Sequence, residues 1–359
     1  MPVFWSAVLW ASLVAAVATA PAQGAECLCD NLPALQAELR NAQRLQAAFR
    51  EHIAVLRGMG NGESQAALQQ FAGNRARSGL EPIPGYNGPS EFDYVAQGQN
   101  VDPSRFDAFT ADQLCAMSAS AAQRLEQAMQ ATACDGIAEA LRAHENMHGQ
   151  FCRRIGYRNY LGMHGADRAQ EEAEAYGAQI TALRSAIAHV LDRANVRVEY
   201  DLSMRFDGYK PLFWMTTQSR GELPQHATLV GEMIRLEGEG PETTNISIEG
   251  DCTFPSGRSL ASTLTRRVGG DTDGLTLRIR YNEQVSKTNG TTLQCRFRTA
   301  NGGEIIVPTP FPALMGLERI TNIELPLRDG AEQPIEIVAM RGFTGHGRIR
   351  LVLQCISGR

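Results

Sequence analysis

Two periodicities divide the chain. After Leu32, apolar residues fall at Leu35, Leu39, Ala42, Leu45, Phe49, Ile53 and Leu56, steps of three and four that make one apolar helix face. Asp30 is the candidate N-cap, Pro33 suits the first turn, and Gly58 and Gly60 end the helix near Arg57. A short helix is expected over 64–71. Residues 73–105, rich in Gly, Pro, Asn and Ser, read as a long irregular loop, the segment that would cover the cleft if the protein were a zymogen. Helical spacing resumes at Thr110 and predicts helices over 111–131, 137–155 and 166–193, with 157–165 as the connection between the last two.

At Val196 the period becomes two. Val196, Val198, Tyr200, Leu202, Met204 and Phe206 alternate with Arg197, Glu199, Asp201, Ser203 and Arg205, the signature of a half-buried strand. Strand-like runs follow at 233–236, 246–248, 275–281, 292–298, 305–307, 320–327, 335–338 and 348–356, with Gly, Pro and Asn between them. The expected fold class is α+β in two segregated domains, helical over 26–195 and antiparallel over 196–359. The second is a sandwich or barrel of about eight strands, and a β-sandwich accessory domain is the form expected.

Residues 1–25 contain no Asp, Glu, Lys or Arg, and Val3–Ala18 is apolar. Ala18-Thr19-Ala20 and Gln23-Gly24-Ala25 offer small residues for cleavage, so the segment reads as a signal peptide, although only the α-amino group supplies its basic end. The apolar run is shorter than the roughly 20 residues a spanning helix needs, which disfavours an uncleaved anchor. Glu26 before Cys27 disfavours a lipid-modified cysteine. The chain is expected to be exported, periplasmic or secreted, with no membrane span after cleavage.

All eight cysteines follow that leader, and an even count in an exported chain suggests disulfides. Cys115 and Cys152 stand nearly equidistant from Cys134 on two helices folded back on each other, which predicts Cys115–Cys152. Cys134 lies too far along the helix from Cys152 to bond it and is expected to meet Cys27 or Cys29. Cys252–Cys295 is the pair expected in the second half. Asn245 and Asn289 begin glycosylation sequons, which matter only on a eukaryotic secretory route.

Charge narrows the function. The net charge is −5, with 34 Lys+Arg against 39 Asp+Glu; no positive excess is left to neutralise a phosphate backbone, so a dedicated nucleic-acid binder is excluded. The 7% aromatic content argues against a stacking platform for single strands. The 43% apolar content supports a packed core.

One pentapeptide carries chemistry. His144-Glu145-Asn146-Met147-His148 is H-E-x-x-H within a predicted helix. The i, i+4 spacing puts both imidazoles on one face, where they can hold one Zn2+, and places Glu145 to act as general base on a zinc-activated water. The alternative is two solvated or capping histidines. A catalytic zinc needs a third protein ligand, and Gln170-Glu171-Glu172-Ala173-Glu174-Ala175-Tyr176 follows on the next helix.

Over residues 140–176 the sequence resembles the gluzincin branch of H-E-x-x-H zinc metallopeptidases, in which a second helix carries a Glu ligand, often within E-x-x-A. The resemblance implies metal ligands His144, His148 and Glu172, with Glu145 as the catalytic base. Glu171 or Glu174 could replace Glu172. Tyr176 stands where the family often has an acidic residue, so a carboxylate orienting a histidine must come from elsewhere, from Glu171 or Asp167. No strand precedes the helix, unlike many gluzincins. His164 is a rival third ligand, and Tyr157, Tyr160, Tyr176 and His164 are candidate oxyanion donors. Cys152, one turn past His148, is expected in a disulfide and not on the metal.

Two functions follow from these residues. The first is an exported zinc metallopeptidase acting on peptides or proteins, with the β domain engaging a cell-envelope partner. The second is a non-catalytic secreted or envelope binding protein with a structural or vestigial metal site.

Overall fold

The computed structural model describes residues 25–58, 110, 112, 115–116, 119–161, 163, 166–209, 213–282, 292–310, 323–338 and 343–355. Most of the expected leader, the 64–71 helix, the 73–105 loop, His164 and Asn289 lie outside them. The chain forms two compact units, 1–187 and 188–359. The division falls in the last turns of the helix predicted over 166–193, ahead of the change of period at Val196.

In the first unit a 3-10 turn, Cys29–Asn31, leads into α1, Leu32–Gly58. The Leu28 N–H donates to Asn31 Oδ1 at 2.9 Å. The predicted stripe of α1, from Leu32 through Leu35, Leu39, Ala42, Leu45 and Phe49 to Ile53, is buried. Next come α2, Ala119–Gln130, shorter than its predicted span, and α3, Asp135–Ile155. Gly156 ends α3 at φ 84°, where its N–H donates to Cys152 O at 2.9 Å; a side chain there would strain the backbone. The reversal begins a short helix, α4, Tyr157–Leu161, where the sequence predicts only a connection. The last helix, α5, spans Ala166–Arg193.

Helices α1, α3 and α5 pack together. Gln46 donates to Ala173 O at 3.0 Å, and the Phe49 and Tyr176 rings stack at 5.9 Å, joining α1 to α5. Arg154 of α3 pairs with Glu174 of α5 at 2.8 Å. Two disulfides fasten the unit. Cys27–Cys134 ties the segment before α1 to the turn before α3, and Cys115–Cys152 ties the segment before α2 to α3. No helix among the described residues is long and apolar enough to cross a membrane.

The second unit is antiparallel. Its strands are β1, Asn195–Tyr209; β2, Phe213–Val230; β3, Met233–Gly250; β4, Cys252–Thr253; β5, Ser259–Thr272; and β6, Thr276–Asn282. They are followed by β7, Thr292–Arg298; β8, Glu304–Pro310; β9, Ile323–Pro326; β10, Glu332–Val338; and β11, Phe343–Gln354. Eight form one sheet in the order β10-β11-β1-β2-β3-β5-β6-β9, and β4-β7-β8 form a second, small one.

The strands do not divide into the two facing sheets of a sandwich; the large sheet curls into a nearly closed barrel. Its edge strands β9 and β10 are consecutive, and the six Cα steps from Pro326 to Glu332 reach at most about 20 Å. In a flat sheet the outer strands of eight would lie about 33 Å apart. Gly221 makes room for a neighbour: Tyr200 on β1 lies opposite it, and a Cβ at Gly221 would run into the Tyr200 hydroxyl. Inside, that hydroxyl donates to buried Glu242, which also accepts from Thr244 at 3.1 Å. Cys252–Cys295 joins directly opposed residues of β4 and β7 and packs with Phe206, Ile248, Phe254 and Leu293.

Candidate metal centre

The α3 stripe runs Ile137, Leu141, His144, His148, Phe151, in steps of four and three, and all five are buried. The two histidines therefore occupy positions a helix normally gives to Leu or Ile, which rules out the reading of solvated surface histidines. Across from them, α5 presents Arg168, Glu171, Glu172, Tyr176 and Gln179, again one helical face. Polar side chains on both facing stripes make a buried polar cluster inside an apolar bundle.

The two Nε2 atoms of His144 and His148 lie 3.3 Å apart, and Glu172 Oε2 lies 3.8 Å from His144 Nε2. One atom from each of the three residues falls within 4.8 Å of the others. Tetrahedral zinc with bonds of about 2.0–2.2 Å sets its ligand atoms about 3.3–3.5 Å apart; the two imidazoles already stand at that spacing, and the Glu172 carboxylate has to close in for the three to hold one divalent ion. Glu172 Oε2 is buried without a hydrogen-bond partner, a costly state for a carboxylate oxygen unless a cation completes it.

His148 is oriented from behind. Its Nδ1 lies 2.9 Å from Glu171 Oε1, so an Nδ1–H donating there leaves the Nε2 lone pair for the metal. Glu171 also accepts from the Tyr160 hydroxyl at 2.6 Å and from Arg168 at 2.7 Å. The Tyr176 ring stands edge-on to His144, with centroids 4.5 Å apart.

Electrostatics distinguish the members. Burial holds His144 well below the usual histidine range, the charge on His148 adds to this, and the Gln179 side chain opposes it. His144 is therefore neutral, and its approach to Glu172 is not an ion pair. Burial alone would lower His148 too, but the Glu172 charge and the Glu171 hydrogen bond push it up to about 9. Burial raises Glu172 to about 7, the positive His148 opposing and Glu171 and Glu145 reinforcing the rise. Burial also opposes ionisation of Glu171, yet His148, Arg168 and Tyr160 together hold it below the usual carboxylate range. Without metal, His148 carries a proton between the two Nε2 atoms.

Of the residues singled out in the sequence, His144, His148 and Glu172 converge. Half-buried Glu145 is near enough to act on the charges of His148 and Glu172. Glu171 orients a histidine and Glu174 pairs with Arg154, so neither takes the place of Glu172. Asp167 is exposed. Cys152 is in its disulfide. Arg168 escaped the sequence reading; its spacing of three from Glu171 on the core-facing stripe was the available signal. The helical unit also has a cavity of about 500 Å³ lined by Met147, Gln150, Phe151, Gln170 and Ala173, which includes none of the three converging residues.

No family model, curated protein or solved structure matches the chain.

Proposed function

We propose that the protein is an exported zinc-dependent metallopeptidase of gluzincin type. The observation that carries this reading is the convergence of His144, His148 and Glu172 within 4.8 Å, on facing helices. Bound there, zinc supplies Lewis acidity at a substrate carbonyl. His144, His148 and Glu172 are the residues that would hold it. Glu145 takes a proton from the attacking water and passes it to the leaving amine. All eight cysteines are disulfide-bonded, which fits an oxidising compartment and export.

A second reading keeps the metal and drops the catalysis. Both histidines are nearly inaccessible, at 4% and 6% exposure, and a structural zinc would be buried in this way in a secreted scaffold.

One experiment separates the two. Zinc-loaded parent protein is incubated with a quenched fluorescent peptide library, alongside Glu145→Gln. The peptidase reading expects hydrolysis by the parent and none by Glu145→Gln, with zinc retained in both. A zinc-loaded parent that cleaves nothing supports the structural role; cleavage by Glu145→Gln rejects the mechanism.

A further inference from the structure

We propose that Tyr160 and Arg168 are positioning residues of the metal centre: they clamp the Glu171 carboxylate and thereby hold His148 with Nε2 turned toward His144 and Glu172. The inference rests on the metal reading and assigns residues which that reading does not require.

Glu171 is fully buried, so solvent cannot orient it. Its Oε1 accepts from His148 Nδ1 at 2.9 Å and from the Tyr160 hydroxyl at 2.6 Å, and its Oε2 accepts from Arg168 at 2.7 Å. Both oxygens are engaged, and rotating the carboxylate would break these bonds together. The clamp residues also hold each other. The Arg168 guanidinium lies 4.5 Å over the Tyr160 ring, and its other nitrogen reaches Tyr160 O at 3.4 Å. Tyr160, Arg168 and the Glu171 carboxylate thus form a closed ring, from which Glu171 reaches His148.

The local fold is built to deliver them. Gly156 turns the chain into α4, which brings Tyr160 back over α3 at 2% exposure. There Tyr160 packs with Phe151, Met163 and the Cys115–Cys152 disulfide. Arg168 reaches Glu171 from one turn earlier on α5. The Tyr160 hydroxyl, committed to Glu171, is a support for a ligand and not an oxyanion donor.

The test is zinc affinity by chelator competition, with the visible spectrum of the cobalt-substituted protein, for the parent, Tyr160→Phe, Arg168→Met, Glu171→Gln and Tyr160→Phe/Glu171→Gln. Circular dichroism in chelator checks that each folds, and Arg168→Lys serves as the conservative partner. Loss of a group behind a ligating histidine weakens metal binding about 10–100-fold. Tyr160→Phe and Arg168→Met should each weaken zinc binding about tenfold or more and alter the cobalt bands, with Arg168→Lys recovering part of the loss. Because Tyr160 acts through Glu171, Tyr160→Phe should add almost nothing in the Glu171→Gln background. Parent-like affinity and spectra in folded Tyr160→Phe and Arg168→Met, or fully additive losses in the double variant, would overturn the clamp while leaving the metal reading intact. A parent that binds neither zinc nor cobalt overturns both.

Discussion

Protons and metal compete for the same atoms, so zinc affinity should fall steeply with acid. In the metal-free centre His148 titrates at about 9 and Glu172 at about 7. Both are raised, and both must lose their proton before they ligate. Above pH 9 binding displaces no proton. Between 9 and 7 it displaces one, from His148, and below 7 it displaces two. Affinity is therefore lost as pH falls through each value in turn. From pH 8 to pH 6 the apparent association constant should drop about a thousandfold, with proton release rising from about one to about two per zinc. Calorimetric titration in buffers of different ionisation enthalpy gives both quantities. Two ordinary imidazoles would give only about a fifteenfold drop over that range. A change that small, or proton release that stays constant, would refute the idea that burial and the facing carboxylates hold a proton in this pocket.

Three further outcomes concern the scaffold. Replacing both Cys115 and Cys152 with Ser opens a crosslink of sequence separation 37; chain entropy puts the loss at up to about 4 kcal/mol, and an unchanged urea midpoint in chelator would contradict it. Gly221→Val forces a side chain against the Tyr200 hydroxyl and should cost about 1–3 kcal/mol by overpacking, read as a lower melting temperature. Arg154→Ala removes a pair whose side chains are 57% and 31% exposed, so its loss should stay below about 1 kcal/mol; a larger shift would show that the pair holds α3 against α5.

The helical half was legible where side chains obeyed the period. The α1 stripe from Leu32 to Ile53 is buried as read, and α5 has its predicted ends. Cys115–Cys152 and Cys27–Cys134 match expectation, because helix length and the position of Cys134 near a turn restrict what can meet; Cys252–Cys295 also forms, although no pattern in the sequence required it. The β half was less legible because its interior is partly polar. β2 buries Ser219, Gly221, Leu223, Gln225 and Ala227, so no apolar alternation marks it, and it was missed. β3 read as two short runs because Gly238, Gly240 and Pro241 lie mid-strand and buried Glu242 and Thr244 follow. Closure was hidden as well, since it depends on β9 and β10 being both consecutive and at opposite edges, a relation of pairing and not of pattern. At the metal centre the ligand types and spacing were readable. The Tyr160–Arg168–Glu171 ring was not, because it joins α4 to α5 through a turn whose course depends on the fold.

The most direct measurement is zinc content together with X-ray absorption at the zinc edge, on the parent and on His148→Ala, both checked for folding. One zinc per chain in the parent, with two imidazoles and oxygen ligands at about 2.0–2.2 Å, and loss of that zinc in His148→Ala, is the predicted result. A folded parent that takes up no zinc at neutral pH, or a His148→Ala variant that keeps a full equivalent, would contradict the claim that His144, His148 and Glu172 hold one metal ion.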